Sequence, residues 1–210
     1  MMNTDNKKPG WSFYPGWIVL HIATVIMAWY IAWAIISLVE KFVGGRIQVN
    51  GQSRMTADFL FLYVLLPIIG LLTGFLQYTL LRRYLPRMAG WIPATFLGWC
   101  LPFVLGFIIT KILSPGNSTL WIMGGLLVIG ASIALPQWWM LRQRIQHASW
   151  WILAYGVGWC IIGLLNLVTS EPFAVLLAIG LMPTITSGIA CWLLLDWYPQ
   201  HELKASVPSY

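Results

Sequence analysis

Charge is what this sequence has least of. Asp, Glu, Lys and Arg together make up 9% of its 210 residues, where soluble domains carry about 25%. Hydrophobic residues reach 59%, against roughly 45–50% in soluble domains, so composition alone predicts a membrane protein. Acid is scarcer still. Asp58, Glu171 and Asp196, with Lys111, fall at the ends of apolar runs, where water reaches them. No run holds a carboxylate pair, a two-histidine constellation or a His-x3-His, which argues against metal catalysis and proton-coupled carriage. No catalytic residue, metal or cofactor is therefore expected. Cys100, Cys160 and Cys191 form no CxxC pair and read as small apolar residues, not as a disulfide.

What is present is length of apolar chain. A bilayer core of ~30 Å needs about 20 apolar residues in a helix, and runs of that kind occupy residues 17–39, 59–81, 91–112, 119–141, 150–168 and 172–195. The sequence thus predicts an all-α polytopic membrane protein: a tail at 1–16, six transmembrane helices within 17–195, and a second tail at 196–210. The first run is 23 residues long, whereas a cleavable signal has an apolar region of only ~7–15, so it reads as a retained span. Between the first two runs, Gly44-Gly45 and Asn50-Gly51 suit tight turns, and Asn-Gly favours a small surface hairpin.

Lys and Arg near span ends are retained on the cytoplasmic side. Lys7, Lys8, Arg82, Arg83, Arg87, Arg142, Arg144 and Lys204 share the side of the N-terminus, and Lys41, Arg46, Arg54 and Lys111 lie on the other. Both termini are expected in the cytoplasm and the chain in the cell's inner membrane. The net charge of +6 is mostly this bias and calls for no nucleic-acid partner. Arg82, Arg83, Arg87, Arg142 and Arg144 form a basic rim suited to anionic lipid headgroups.

An internal echo shows how the chain is built. Gln77-Tyr78, Leu81-Arg82, Trp91-Ile92, Ala94 and Gly98-Trp99-Cys100 return 60 residues later as Gln137-Trp138, Leu141-Arg142, Trp151-Ile152, Ala154 and Gly158-Trp159-Cys160. At 100° per residue, Gly70, Gly74, Gln77 and Leu81 share one helix stripe, repeated as Gly130, Ala134, Gln137 and Leu141. Trp91, Ala94 and Gly98 form a second stripe, matched by Trp151, Ala154 and Gly158. Small residues four apart let helix backbones approach closely in lipid, so both stripes are packing seams. Trp91 and Trp151, at the run starts, are expected at headgroup depth as anchors. A fainter third copy has Gly180, Thr184, Ser187 and Cys191 at the same spacing, with Gly16-Trp17 standing as Gly90-Trp91 does. Tandem hairpins follow, their pairing either in order or shifted by one.

Polar side chains inside spans are the default functional candidates. Here they are His21, Gln77, Gln137, Asn166 and several hydroxyls. If the two copies face one another, Gln77 and Gln137 can meet across the bundle or line a shallow polar pocket; Trp99 and Trp159 can wall a common cavity. Alternatively, each amide bonds a neighbouring backbone and sets helix register. His21 alone is weak evidence for haem or pigment. Pro136, directly before Gln137, is placed to open the fourth run there.

The signature Gln-Trp/Tyr-x2-Leu-Arg, then Trp-x2-Ala-x3-Gly-Trp, resembles a repeat in uncharacterised bacterial multi-span membrane proteins over residues 70–100 and 130–160. That resemblance implies a bacterial plasma-membrane protein and carries no activity. In size and span number the chain is also similar to substrate-binding subunits of energy-coupling-factor vitamin transporters, with Ala28-x3-Ala32 resembling their docking motif, although those subunits do not usually show tandem hairpins. The leading expectation is a non-enzymatic accessory or scaffold subunit packed against membrane lipids or a membrane-protein partner. The runner-up is a small-solute binding subunit.

Overall fold

A computed structural model of the chain describes residues 9–49, 51–85, 88–112, 119–168 and 172–196. It is all-helical apart from one hairpin, with α1 (Phe13–Val43), α2 (Thr56–Leu81), α3 (Trp91–Ile112), α4 (Thr119–Leu141), α5 (Ser149–Val168) and α6 (Pro172–Asp196). The boundaries follow the apolar runs closely. The exception is α1, which begins at Phe13, inside the segment read as a tail, and continues to Val43. Phe13 is buried, and that burial carries the helix past the first apolar residue of the run. Segments Phe13–Val43, Tyr63–Leu81 and Met123–Leu141 are long and apolar enough to cross a membrane.

Prolines do not end these helices. Pro67, Pro102, Pro136 and Pro183 all lie within continuous helix, so Pro136 does not open α4 beside Gln137. Each removes one backbone hydrogen bond, and the flanking turns carry the helix across the gap.

Arg46–Val49 (β1) and Gln52–Met55 (β2) pair antiparallel, with Val49 opposite Gln52 and Arg46 opposite Met55. Gly51 takes φ +76°, a conformation that glycine adopts without steric cost. The Thr56 hydroxyl closes the base by donating to the Gly44 carbonyl at 2.7 Å.

The helices form a ring in chain order: each packs on the next, and α6 returns to α1. Small residues set the approach. A Cβ on Gly70 would meet Trp99 Cβ at 2.9 Å and Phe96 Cα at 3.2 Å, and one on Gly74 would meet Ile92 Cα at 3.1 Å. Gly98 faces the Ile133 carbonyl, Gly130 the Tyr155 carbonyl, and Gly158 the backbone of Pro183. Gly188 completes the ring against Tyr14 and Trp17 of α1. Of the eight predicted seam residues, Gly70, Gly74, Ala94, Gly98, Gly130, Ala134 and Gly158 are buried. Ala154 differs: it is half-buried and lines a groove between α5 and α6.

The α2–α3 and α4–α5 connections fold alike. Leu85 N–H donates to the Leu81 carbonyl and Ile145 N–H to the Leu141 carbonyl, each at 2.8 Å. Leu85, Met88, Ile145 and Ala148 are buried beneath these turns. Arg82, Arg83 and Arg142 stay exposed and Arg144 is half-buried, making this the basic end of the ring; Arg87 lies outside the described residues.

Candidate functional site

Just below the basic end, the Gln-bearing stripes of α2 and α4 turn inward and meet. Gln77 and Gln137 are 1% and 0% exposed, so each amide must find its partners within the protein. Trp91 Nε1 donates to Gln77 Oε1 at 2.9 Å, and Trp151 Nε1 donates to Gln137 Oε1 at 2.8 Å. An indole nitrogen can only donate, which fixes each amide with its oxygen towards the Trp and its nitrogen free to donate elsewhere.

The amide nitrogens then tie the two copies together. Gln137 Nε2 donates to Gln77 Oε1 at 3.1 Å and to Thr95 Oγ1 at 2.8 Å. Gln77 Nε2 lies 2.8 Å from His21 Nε2 and donates to the Tyr155 hydroxyl at 3.4 Å. His21 Nδ1 is 2.8 Å from the Trp17 carbonyl oxygen, which can only accept. The neutral ring therefore carries its proton on Nδ1, and Nε2 accepts from Gln77. Gln77 thereby uses both amide hydrogens and both oxygen lone pairs.

The third copy closes the layer with weaker chemistry. Trp17 Nε1 donates to Ser187 Oγ at 3.4 Å, and Ser187 donates to the Thr184 carbonyl at 3.2 Å. Trp17 and Trp91 each meet Trp151 edge to face, with ring centroids 6.0 Å and 5.8 Å apart. Trp17, Trp91 and Trp151 are each 0% exposed, so Trp91 and Trp151 are not the headgroup anchors their positions at helix starts suggested. The exposed tryptophans at this end are Trp11, at 87%, and Trp139 and Trp150, about half exposed. Arg142 rests its guanidinium over the Trp139 ring, 3.5 Å from the centroid.

Of the predicted site residues, His21, Gln77 and Gln137 come together, but in a sealed core, not an open pocket. The bonds of the two amides run to side chains of other helices, so Gln77 and Gln137 meet across the bundle and neither line an open pocket nor pair with neighbouring backbone. Trp99 and Trp159 lie deeper and pack on each other edge to face at 6.3 Å, filling the space they were expected to wall. Both indole nitrogens are buried, and no acceptor among the described residues reaches either. In an edge-to-face pair, at most one N–H can aim at its partner's ring. Tyr155, Thr95 and Ser187 join the site although the sequence does not mark them as site residues. Thr95 and Tyr155 are 60 residues apart and one turn after Trp91 and Trp151, the signal that would have found them. The Asn166 side chain lies outside what is described.

Ala28 and Ala32, resembling a docking motif, are 0% exposed and form part of the core, so in this conformation they offer no face to a partner. Among the described residues no group of three His, Cys, Asp or Glu side chains gathers to hold a metal. Outside the ring, α5 and α6 leave an apolar groove of about 310 Å³. Compared with protein-family models, with curated proteins and with solved structures, the chain matches none.

Proposed function

We propose that this chain is a non-enzymatic integral membrane protein of six spans, an accessory or scaffold subunit of a bacterial inner membrane, with both termini in the cytoplasm. Its hairpins are tandem copies arranged about a pseudo-three-fold axis along the membrane normal, with α2–α3, α4–α5 and α6–α1 as equivalent pairs. The equivalent bonds Trp91 to Gln77, Trp151 to Gln137 and Trp17 to Ser187 support that pairing. The observation that carries the functional reading is how the central amides are used. Gln77 and Gln137 direct their amide groups at residues of the chain itself, leaving little with which to recognise a solute. Such a layer fixes helix register, which suits a rigid body that presents its outer surface to lipid or partner helices. The basic rim holds that body at the depth of anionic headgroups.

The runner-up, a solute-binding subunit, requires water to reach the centre. Cys191 is 5% exposed and sits one turn beyond Ser187, beside the polar layer. A membrane-impermeant maleimide applied to vesicles of either orientation, with peptide mapping, decides between the two. The expected result is no modification of Cys191 while a Gln146→Cys variant, in the exposed α4–α5 loop, labels fully from the cytoplasmic side. Labelling of Cys191 at a rate near that of the loop position would replace the scaffold with the solute-binding subunit.

A further inference from the structure

The α3–α4 and α5–α6 pairs differ in side-chain size near the basic end. Met140 lies over Gly90, where a Cβ on that glycine would meet the Met140 methyl at 2.8 Å. Sixty residues after Gly90 stands Trp150, and three after Ser187, as Met140 follows Gln137 by three, stands Ala190. The large side chain has moved to the rim and the small one to the floor. The result is the groove of about 310 Å³, with Trp150, Leu153, Val157 and Ile189 as walls and Ala154 and Ala190 beneath. Its one hydroxyl, on Thr186, is already spent on the Met182 carbonyl at 3.1 Å.

We propose that this groove binds an acyl chain of an anionic phospholipid whose headgroup sits at the loop carrying Arg142 and Arg144. The inference rests on reading the helices as membrane spans, and it names the lipid such a body holds. Length and charge select the occupant. From Trp150 to Val157 the groove runs about 10 Å at 1.5 Å per residue, which fits inside one leaflet of a ~30 Å core. A partner helix crosses both leaflets and would need a stripe along all of α5. The groove opens where α5 begins, next to the loop bearing Arg142 and Arg144, and no acidic residue occurs between Leu141 and Val168. Among the described residues of α5 and α6, Asp196, the last residue of α6, is the one acid. The floor is dry and the mouth is cationic, the arrangement a phosphate-headed amphiphile matches.

Native mass spectrometry of the full chain, extracted in mild detergent and supplied with equimolar phosphatidylglycerol and phosphatidylcholine, tests this. Phosphatidylglycerol should be retained selectively. Ala190→Met should abolish retention by filling the floor; Val157→Phe, at an exposed wall, should do the same if the first variant does not fold. Arg142→Gln and Arg144→Gln should each lower the preference for the anionic lipid by about fivefold, the equivalent of roughly 1 kcal/mol per cation near the surface. Equal retention of the two lipids, or retention unchanged in both groove variants, would overturn the proposal. So would a second copy or another polypeptide lost from the complex in place of lipid. A chain that never enters the membrane fraction would instead defeat the span reading, before any lipid is added.

Discussion

Two layers of tryptophan cross this bundle, and they are held by opposite means. Trp17, Trp91 and Trp151 lie at the basic end, and each indole donates a hydrogen bond to an amide or hydroxyl on another helix. Trp99 and Trp159 sit eight residues further along α3 and α5, about 12 Å deeper at 1.5 Å per residue, and neither indole reaches an acceptor among the described residues. The upper layer specifies register through directional bonds. The lower one relies on shape, with Trp99 seated against Gly70 and Trp159 against Gly130. A bundle that needs one register requires directional bonds in only one layer, because rigid helices transmit the setting along their length. The rest of the core can then be filled by fit alone.

The contrast breaks most severely at Gln77. Gln77→Leu keeps the approximate volume but removes every bond of the amide. It leaves the Trp91 N–H and one Gln137 hydrogen without acceptors and the His21 ring nitrogen without a donor. Single interhelical hydrogen bonds in membrane proteins average only about 0.6 kcal/mol, but stranded buried donors cost about 1–3 kcal/mol each. The expected loss is therefore about 2–4 kcal/mol, read by reversible unfolding in mixed micelles. A loss below about 0.5 kcal/mol would mean the amide is incidental to stability.

That Gln77 and Gln137 belong to equivalent stripes was legible from the 60-residue echo, and the apolar runs located each described helix, because hydropathy and helical length are local properties. The bonds were not legible, since they join α1, α2, α3, α4 and α5 at a register that only packing determines. Trp91 and Trp151 show where local rules misled. A Trp at the start of an apolar run usually sits at the headgroups, yet Trp91 shares a stripe with Ala94 and Gly98, and a stripe that packs at Gly98 turns Trp91 inward too. Ser187 was visible only as a faint third copy. Its equivalence to Gln rests on the bond from Trp17, 170 residues away in the sequence. Ala154 occupies the same stripe as Ala94 and yet lies in a groove, which Ala190 lines where the equivalent position of α4 holds Met140. No spacing rule reports such an exchange of sizes.

Matched substitutions in the two layers sharpen the comparison. Trp91→Phe and Trp99→Phe both remove an indole and keep an aromatic ring, so their loss of buried apolar surface is similar. Trp91→Phe also leaves Gln77 Oε1 with one partner fewer, while Trp99→Phe removes a donor that no group among the described residues accepts. Trp91→Phe should cost about 1–2 kcal/mol more than Trp99→Phe, measured by the same unfolding experiment. Equal costs would show that the deeper indole has an acceptor of comparable strength, and the distinction between the layers would disappear.

The smallest effect belongs to the copy in which the amide has been lost. Trp17 donates to Ser187 at 3.4 Å, near the limit at which a hydrogen bond retains value, and the Ser187 hydroxyl keeps the Thr184 carbonyl as a partner without it. Trp17→Phe should therefore cost about 0.5–1 kcal/mol less than Trp91→Phe, although both indoles are completely buried. If Trp17→Phe instead matched Trp91→Phe, the α6–α1 pair would hold the layer as firmly as the other two. The substitution of Ser for Gln would then be a change of chemistry without a change of strength. The expected inequality makes α6–α1 the weakest joint of the ring. Unlike the α2–α3 and α4–α5 pairs, α6 and α1 are not consecutive along the sequence, so no connecting turn ties that joint.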